Sequence, residues 1–401
     1  MTSDQIQLVK GTVPVLREHG VLLTTHFYKR MFEHNPELKH VFNMGNQQNS
    51  KQQTALAMAV LAYAEHIENP TVLLNAVDHI GQKHTSLDIR PEHYAIVGQH
   101  LIASISEVLG EDASPELLEA WTLAYNQLAA IMSGHEQQLY DAQTAKKGGW
   151  TGWRPFVVKE KIKESSEITS FYLYPSDAGQ VAEHLPGQFI SIRLFLPELH
   201  LLQPRQYSIS CSPNGKYYRI SVKREAGSQH PDGMISNRLH DHIEVGDLIE
   251  LTAPAGSFVL NKENLSHKVF ISGGVGQTPL LSMLEALVDN TEQTPAITWI
   301  HGCRSEQVHA FKDRIAEIST TYKQLDQHIF YENLPSEAQN HYHGRVELDL
   351  LKPVILRPET DYYICGPAPF ISKHYDFLIA NGVPVETIHF EEFGPASLQL
   401  N

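Results

Sequence analysis

The chain has 401 residues, 42% of them hydrophobic and 19% charged, which indicates a globular protein of two or three domains and excludes a disordered one. Its formal net charge of −15 disfavours nucleic acids and anionic membranes as partners, and no apolar run or basic leader predicts a membrane span or a signal peptide. The cysteines Cys211, Cys303 and Cys365 are few and far apart, so we expect a reducing cytoplasm and no disulfide scaffold.

Residues 1 to 140 are predicted to be helical throughout. Four prolines mark helix boundaries or first turns, at Asn35-Pro36, Asn69-Pro70, Arg90-Pro91 and Ser114-Pro115. One helix is expected to carry on its inner face Val21, Thr24, Thr25, Tyr28, Met31 and Phe32. A second helix, from Lys51 to Ala64, is expected to carry there Gln52, Leu56, Val60 and Tyr63. Each polar group on these faces is also compatible with ordinary core lining.

A third predicted helix spans Leu73 to Leu87. Its apolar stripe consists of Leu73, Ala76, Val77, Ile80 and Leu87, and His84 falls on the same stripe. Taken alone, this favours a core histidine bonded to a carbonyl group; the alternative is a ligand of haem iron. Glu136, further along the chain, is either a solvated helix residue or a carboxylate that fixes the tautomer of His84.

The surrounding motifs favour His84 as a ligand of haem iron. Three early runs (Phe27 to Phe32, Asn35 to Leu38, Phe42 to Met44) and two later ones (Gln82 to Ser86, Pro91 to Tyr94) resemble the globin domain of bacterial flavohaemoglobins. The resemblance implies that His84 is the proximal haem ligand, oriented by Tyr94 and Glu136, with Lys83 beside it. It also implies distal hydrogen bonds from Tyr28 and Gln52, a pocket closed by Leu56, and Phe42 packed on the porphyrin. The neighbouring Gln53 leaves the glutamine assignment open by one residue.

The sequence pattern changes from helices to strands after the glycine-rich linker Lys146 to Trp150. Runs such as Ile168 to Leu173 and Tyr217 to Val222 alternate as strands do, and turns at Asn214-Gly215 and Gly246-Asp247 indicate an antiparallel barrel. Within it, Arg205 could grip a diphosphate while Tyr207, two positions on, projects to the same side. By themselves, Arg and Tyr alternating on a strand are weak evidence.

Two further segments, one before and one after Arg205, strengthen the interpretation of a diphosphate site. Gly233 to Asn237 opens a predicted helix with a hydroxyl and free backbone amides for phosphate, and Pro186-Gly187-Gln188-Phe189 lies upstream. Together they resemble the FAD barrel of ferredoxin-reductase-type proteins. The resemblance implies that Arg205 and Ser236 hold the pyrophosphate and that Phe189 lies near the adenine. It further implies that Tyr207 and Ser208 face the flavin ring, and Gln206 between them and Arg205 is a further cofactor-binding candidate.

The last part predicts a nucleotide-binding α/β domain. A buried-type strand, His267 to Ser272, leads into a glycine turn and a helix from Leu280 to Val288, although the spacing is not G-x-G-x-x-G. Strands at Ile297 to His301 and Tyr362 to Cys365 alternate with helices, which indicates a parallel sheet. The candidate nucleotide-binding residues of the turn are Ser272, Gly273, Gly274, Val275, Gly276, Gln277 and Thr278.

Cys365 ends a strand, where open α/β sheets bind ligands, but a small buried hydrophobe is an equally good interpretation of this cysteine taken alone. Resemblance to the reductase family implies that it lies beside the nicotinamide. The tail also matches that family, which implies that Phe393 lies against the flavin. Many flavohaemoglobins carry a cysteine where Glu392 stands, so redox tuning at this position is in doubt. The tail candidates are Glu392, Phe393, Gly394 and Pro395.

The predicted fold is therefore multidomain: an all-α globin at 1–140, an antiparallel β-barrel FAD domain at 148–262, and an α/β parallel-sheet NAD(P) domain at 263–401. Resemblance to flavohaemoglobins implies nitric oxide dioxygenase activity, with electrons passing from NAD(P)H through FAD to haem b, O2 and NO as small-molecule partners, and a monomer. Two alternatives stay open: an NAD(P)H-driven peroxide or ferric reductase, and a non-catalytic O2 or NO carrier or sensor. The choice between NADH and NADPH is open as well; Arg304 could meet a 2′-phosphate.

Overall fold

The computed structural model describes residues 1–48, 50–225, 233–262, 264–289, 295–333 and 341–393. The chain divides into two compact units: Met1–Trp153 with Arg193–Arg205, and Arg154–Ile192 with Gln206–Asn401. Among the described helices, none combines the length and apolar character needed to cross a membrane.

Helices build the first unit, as predicted. Pro36 and Pro70 each begin a short 3-10 helix, whereas Pro91 and Pro115 begin long α-helices. A proline suits these first positions because its missing N–H has no partner within the helix. The α-helices are α1 (Ser3–Gly11), α2 (Val13–His34), α3 (Met44–Gln48), α4 (Lys51–Glu65), α5 (Leu74–Thr85), α6 (Pro91–Leu109) and α7 (Pro115–Ala145).

The inner face of α2 differs in part from the predicted one. Tyr28, Met31 and Phe32 are buried as expected, but Val21 is 43% exposed and Thr25 is also exposed, so that part of the prediction is wrong. The reason is the close approach of α4 at Gly20, where an added Cβ would lie 3.3 Å from Cβ of Ala57. This contact turns the face of α2 toward Gly20, Leu23, Thr24 and Phe27. Ala76 of α5, predicted to be on the inner stripe, is likewise exposed.

The antiparallel sheet has the strand order β4-β3-β6-β1-β2-β5. The strands predicted at Ile168 to Leu173 and Tyr217 to Val222 are confirmed and pair antiparallel. The in-and-out alternation expected of them is not observed, because β2 and β5 are buried along nearly their whole length. Phe156, Phe171 and Ile220 are fully buried. In place of the predicted barrel, the described residues show this sheet and two isolated antiparallel bridges. One joins Phe189 of β3 to Ala255, and the other joins Ile209, which follows β4, to Ile220 of β5. The strands are β1 (Arg154–Lys163), β2 (Ile168–Pro175), β3 (Phe189–Leu196), β4 (Leu201–Ser208), β5 (Tyr218–Lys223) and β6 (Leu248–Leu251), and helix α8 (Met234–His242) lies between β5 and β6 in the chain.

The second sheet is parallel, which confirms the α/β prediction, and its order is β10-β9-β8-β7-β11-β12. Its strands are β7 (His267–Gly273), β8 (Ile297–Cys303), β9 (Leu325–Tyr331), β10 (Tyr342–His343), β11 (Thr360–Gly366) and β12 (Ile388–Glu392). Its helices are α9 (Gln277–Val288), α10 (Lys312–Thr321), α11 (Lys352–Ile355) and α12 (Ala368–Ala380).

Helices cover both faces of this parallel sheet. Phe270 and Trp299 pack against Leu280 of α9 on one face, and Ile271 packs against Ile371 of α12 on the other. Successive strands are added on the β8 side of β7 and then on the β11 side, so the order reverses between β7 and β11. Open α/β sheets bind ligands outside the carboxyl ends of their strands at this kind of reversal.

Candidate functional site

Three helices of the first unit bring His84, Tyr94 and Glu136 together. Nδ1 of His84 lies 2.7 Å from Oε1 of Glu136 and 3.0 Å from the Tyr94 hydroxyl, and that hydroxyl donates to the same Oε1 at 2.5 Å. Glu136 is only 2% exposed. A buried carboxylate that accepts from Nδ1 fixes the imidazole tautomer with its lone pair on Nε2, and it makes that nitrogen a stronger electron donor.

Two more tyrosines hold this triad in place. The Tyr125 hydroxyl donates to the carbonyl of Tyr94 at 2.6 Å, and the Tyr140 hydroxyl donates to the carbonyl of Ile89 at 2.7 Å. Burial and the adjacent Glu136 charge raise the pKa of Tyr94, so it remains a protonated donor. Nε2 of His84 has no hydrogen-bond partner among the described residues, and the side chain is 33% exposed. The triad therefore offers one free, basic ring nitrogen.

Tyr28 of α2 is 6% exposed and its ring packs on Phe32 and Phe42, with centroid distances of 5.9 and 5.8 Å. Its hydroxyl makes no hydrogen bond to another described residue. Burial raises its pKa, which keeps the hydroxyl protonated and able to donate. Leu56 of α4 and Phe42 are half-buried and pack against the same hydrophobic core.

Gln52 and Gln53 are both tied to Gln47, but differently. Oε1 of Gln52, which is half-buried, accepts from Nε2 of Gln47 at 2.7 Å. Gln53 is buried; its Nε2 donates to Oε1 of Gln47 at 2.9 Å, and its own Oε1 has no partner in the described part of the chain. The assignment of Gln52 as the distal glutamine stays a prediction, and the structure adds the orphaned oxygen of Gln53 to the candidates.

These groups fit a haem. The donor set consists of an imidazole nitrogen of His84 and the hydroxyl of the buried Tyr28 side chain, neither of which has a partner among the described residues, and the surrounding core is apolar. A haem held by a proximal histidine would need such a nitrogen and an apolar pocket with few polar groups. Lys83 is half-buried on α5, next to His84 in the chain.

The predicted flavin residues lie on β3, β4 and α8. On β4, Arg205, Tyr207 and Ser208 are half-buried and Gln206 is exposed; Nη1 of Arg205 donates to the carbonyl of Pro204 at 2.6 Å. Ser236 is buried in the first turn of α8, where its Oγ donates to the carbonyl of Gly233 at 3.1 Å and accepts from the N–H of Glu225 at 3.3 Å. A hydroxyl at a helix N-terminus suits a phosphate.

Phe189 begins β3 and packs over a glycine. An added Cβ at Gly256, whose φ is +112°, would lie 2.9 Å from the Phe189 ring. Glycine is likewise required at Gly187, where φ is +107° and a Cβ would lie 2.2 Å from the Phe258 carbonyl oxygen. The backbone of the motif Pro186 to Phe189 thus lies close to the backbone at Phe258, and the ring of Phe189 covers Gly256.

The glycine turn between β7 and α9 lies at the reversal of strand order. A Cβ at Gly276 would lie 2.2 Å from the carbonyl oxygen of Cys365, so only glycine allows the turn to sit against β11. Gly274 has a φ of +57° and an added Cβ there would meet open space. The turn is closed by Thr278, whose Oγ1 donates to the carbonyl of Val275 at 3.0 Å. Backbone amides are therefore presented at an open, glycine-lined edge, which fits a pyrophosphate.

Two buried polar side chains, Gln277 and Ser272, lie at the same edge. Gln277 is fully buried, and neither its Oε1 nor its Nε2 has a partner among the described residues. Ser272 pairs in register with Cys365 on one side and with His301 on the other, and its Oγ lies 2.8 Å from Nδ1 of His301. Burial raises the pKa of the Cys365 thiol, which favours the protonated thiol over the thiolate.

Sequence reasoning missed His301 and its neighbour His309. Their rings stack at 4.8 Å between centroids, and Nδ1 of His309 lies 2.7 Å from the Tyr331 hydroxyl. The available signal was His301 itself, a histidine on a strand that is otherwise apolar. At the tail, Glu392 ends β12 and pairs in register with Gly366, and Phe393 after it is exposed. Gly394 and Pro395 lie outside the described residues.

Comparisons with known proteins match three successive parts of the chain. The Globin family model matches residues 25–132, the Oxidoreductase FAD-binding domain matches 155–260, and the Oxidoreductase NAD-binding domain matches 270–375. The flavohemoproteins of Bordetella pertussis and Rhizobium meliloti are 48% and 47% identical to this chain, over 98% of it in both cases and over 99% and 98% of their own lengths.

Solved structures are similar to this chain over the whole of it or over its FAD- and NAD-binding part. A flavohemoglobin from Malassezia yamatoensis with bound FAD and heme has a TM-score of 0.86 at 24% identity and covers 98% of this chain and 99% of its own. The FAD/NAD-binding domain of a nitric oxide dioxygenase from Vibrio cholerae has a TM-score of 0.56 at 37% identity, over 60% of this chain and 99% of its own. The first similarity shows the fold, and the second is restricted to the FAD- and NAD-binding part.

Proposed function

Since the chain belongs to the flavohemoprotein family, we propose that it is a nitric oxide dioxygenase that uses NAD(P)H and O2 to convert NO to nitrate, with FAD and haem as its cofactors. The observation that carries this is the 2.7 Å contact between Nδ1 of His84 and the buried carboxylate of Glu136. A proximal histidine made electron-rich in this way suits a haem that activates O2, and the same chain holds a flavin and a nucleotide domain to supply electrons.

We propose three domains, at 1–140, 148–262 and 263–401. The family matches at 25–132, 155–260 and 270–375 support this division, and so does the end of α7 at Ala145 before β1 begins at Arg154.

In the globin domain, Nε2 of His84 would hold the iron, and Glu136 and Tyr94 orient the ring. Tyr28 and Gln52 would donate hydrogen bonds to a bound gas, Leu56 would close the pocket and Phe42 would pack on the porphyrin. Lys83 would lie beside the proximal ligand. Support comes from the free Nε2, the unpartnered Tyr28 hydroxyl and the apolar packing around it. When bound, haem supplies the iron chemistry by which O2 and NO become nitrate.

In the reductase part, Arg205 and Ser236 would hold the FAD pyrophosphate, with Phe189 on the adenine side. The flavin ring would be faced by Tyr207, Ser208 and Phe393. The glycine turn Gly273 to Gly276 presents backbone N–H groups to the nicotinamide dinucleotide, with Cys365 and Gln277 beside it. Support comes from the glycine contacts of the turn and from the buried, unpartnered amide of Gln277.

O2 and NO are the proposed gas substrates, and a monomer in a reducing cytoplasm is the proposed state. The three cysteines are free thiols, and two of them, Cys211 and Cys365, are buried. A reducing compartment suits such thiols.

The activity test is NADH-dependent consumption of NO in air by the purified protein, followed with an NO electrode and by nitrate analysis. A dioxygenase yields one nitrate for each NO consumed, and NO consumption stops without NADH. His84→Ala, which retains the reductase residues, should abolish NO consumption. Faster turnover with peroxide or ferric salts than with NO would instead favour a reductase, and NO binding without nitrate formation would favour a carrier.

A further inference from the structure

The end of β8 carries a cation that bears on the choice between NADH and NADPH. β8 lies next to β7, and Gly302 pairs in register with Gly273 at the start of the glycine turn. Arg304 follows two residues later. In dinucleotide-binding sheets, the adenosine ribose lies close to the strand next to the glycine turn, where an acid accepts from its 2′-hydroxyl or an arginine receives a 2′-phosphate. Arg304 is therefore a candidate for receiving that phosphate.

Arg304 already has an anionic partner, Glu167, which lies in the turn between β1 and β2. The two side chains form a hydrogen-bonded ion pair. The turn is fixed by Ser165, whose Oγ accepts from the N–H groups of Glu167 and Ile168 at 3.3 and 3.2 Å. It is also tied to the segment after Arg304, because the N–H of Ser166 donates to the carbonyl of Gln307 at 2.9 Å. The Glu167 carboxylate is thus held in place beside Arg304.

Neighbouring cations are paired in the same way. Nζ of Lys312 lies 2.6 Å from Glu306, and Nε of Arg345 lies 3.2 Å from Glu332. Glu332 is also brought next to Arg304, since its N–H donates to the carbonyl of Cys303 at 3.1 Å. The hydrogen bond and the charge of Glu167 raise the pKa of Arg304, and the charge of Glu332 adds to this. A 2′-phosphate dianion would therefore meet two carboxylates and would have to displace one of them.

We propose that Glu167 determines the choice of electron donor: by occupying Arg304, it makes this chain prefer NADH to NADPH. The inference rests on the proposed function for the use of a nicotinamide donor and deepens it by naming that donor. NADH has only a hydroxyl at this position and leaves the Arg304–Glu167 pair intact. Removing the Glu167 charge frees a guanidinium, the group best suited to bidentate phosphate binding.

The test is the binding of 5′-ADP and 2′,5′-ADP to the purified full-length protein, measured by titration calorimetry at low ionic strength. The wild-type protein should bind 5′-ADP more tightly than 2′,5′-ADP. Glu167→Gln should tighten 2′,5′-ADP binding about tenfold, as expected for a charged hydrogen bond gained at a half-exposed site, and should leave 5′-ADP binding within about twofold. In stopped-flow experiments, flavin reduction by NADPH should speed up in parallel with little change for NADH.

Two control variants isolate the pair. Glu164→Gln removes a carboxylate from the same turn that forms no ion pair with a described residue, and it should change neither affinity. Adding Arg304→Gln to Glu167→Gln should remove the gain in 2′,5′-ADP binding. A wild-type protein that prefers 2′,5′-ADP, an unchanged affinity ratio in Glu167→Gln, or the same gain in Glu164→Gln would each overturn the proposal. Nucleotide binding involves no NO, so this result is independent of the activity test.

Discussion

At the scale of single residues, we expect the proposed proximal ligand His84 to depend on Glu136. Glu136→Gln keeps the shape and one acceptor but should remove the negative charge that is proposed to make the His84 ring a strong electron donor. We expect the haem to stay bound while NO turnover falls about tenfold, in the range observed for outer-shell partners of metal ligands.

The matched control for Glu136→Gln is Glu119→Gln, an exposed carboxylate on the same helix α7. The stretching frequency of the iron–histidine bond, measured by resonance Raman spectroscopy on the ferrous protein, reports the donor strength directly. It should fall in Glu136→Gln and not in the control. An unshifted frequency would mean that the carboxylate does not act on the ligand.

When haem is bound, the Tyr28 hydroxyl would donate a hydrogen bond to the O2 ligand, which would act as a partly charged acceptor. Hydrogen bonds to charged acceptors contribute roughly 1.5 to 3 kcal/mol, so Tyr28→Phe should speed O2 release about ten- to a hundredfold. Stopped-flow O2 dissociation from the reduced protein measures this. Tyr63→Phe is the control, because Tyr63 is another buried tyrosine of this unit whose hydroxyl has no partner among the described residues. Equal off-rates in both variants would leave Tyr28 as a core residue only.

Some residues were predictable because their signal is local, and others were not. The helical period placed Tyr28 on the inner face of α2, yet it also placed Val21 there, since a period cannot register the approach of α4 at Gly20. Gln203 carried no signal at all. It is fully buried on β4, where its Nε2 donates to the carbonyl of Lys39 at 2.8 Å and its Oε1 accepts from the N–H of Met44 at 3.0 Å. Such a pairing between residues 159 positions apart in the chain depends on tertiary structure.

At the scale of elements, the strand–turn–helix unit of β7 and α9 followed from sequence because glycines, a buried strand and a proline are adjacent. The observed helix begins three residues earlier than expected, at Gln277. The grouping of Arg193–Arg205 with the helical unit was not predicted. The pattern of a strand indicates which of its residues are buried, but it does not indicate which other residues they pack against. The burial of His301 on β8 and of the nearby His309 was not predicted for the same reason.

These histidines predict how the stability of the second unit depends on pH. Burial, reinforced by the charge of Lys312, lowers the pKa of His309 from 6.5 to about 4. Between these values the unfolded chain binds a proton that the folded chain does not. The contribution of His309 to the free energy of unfolding is therefore largest above pH 6.5 and falls as the pH drops toward 4. About 2 kcal/mol of this contribution is lost between pH 7 and 5.

Urea unfolding of the full chain at pH 7, 6 and 5 measures this dependence. His309→Gln, which cannot titrate but can still bond the Tyr331 hydroxyl, should lose about 2 kcal/mol less than the wild type over that range. His343→Gln, at an exposed position, should follow the wild type. A loss in His309→Gln equal to that of the wild type would show that His309 does not contribute.

At the scale of the whole molecule, one chain combines a haem-binding helical domain with a reductase, and the account depends on electrons passing between them. The family match over 98% of the chain supports this combination. The sequence predicted the order of the three parts because each carries its own local motif. The strand order of the two sheets needed the structure, since it depends on pairings distant along the chain.

The most direct test is anaerobic mixing of NADH with the protein loaded with FAD and ferric haem, followed at flavin and haem wavelengths in one stopped-flow experiment. The account predicts that flavin absorbance bleaches first and that the haem then converts fully to the ferrous form, with a rate independent of protein concentration because the transfer is within one chain. A flavin that is reduced while the haem stays ferric would contradict it.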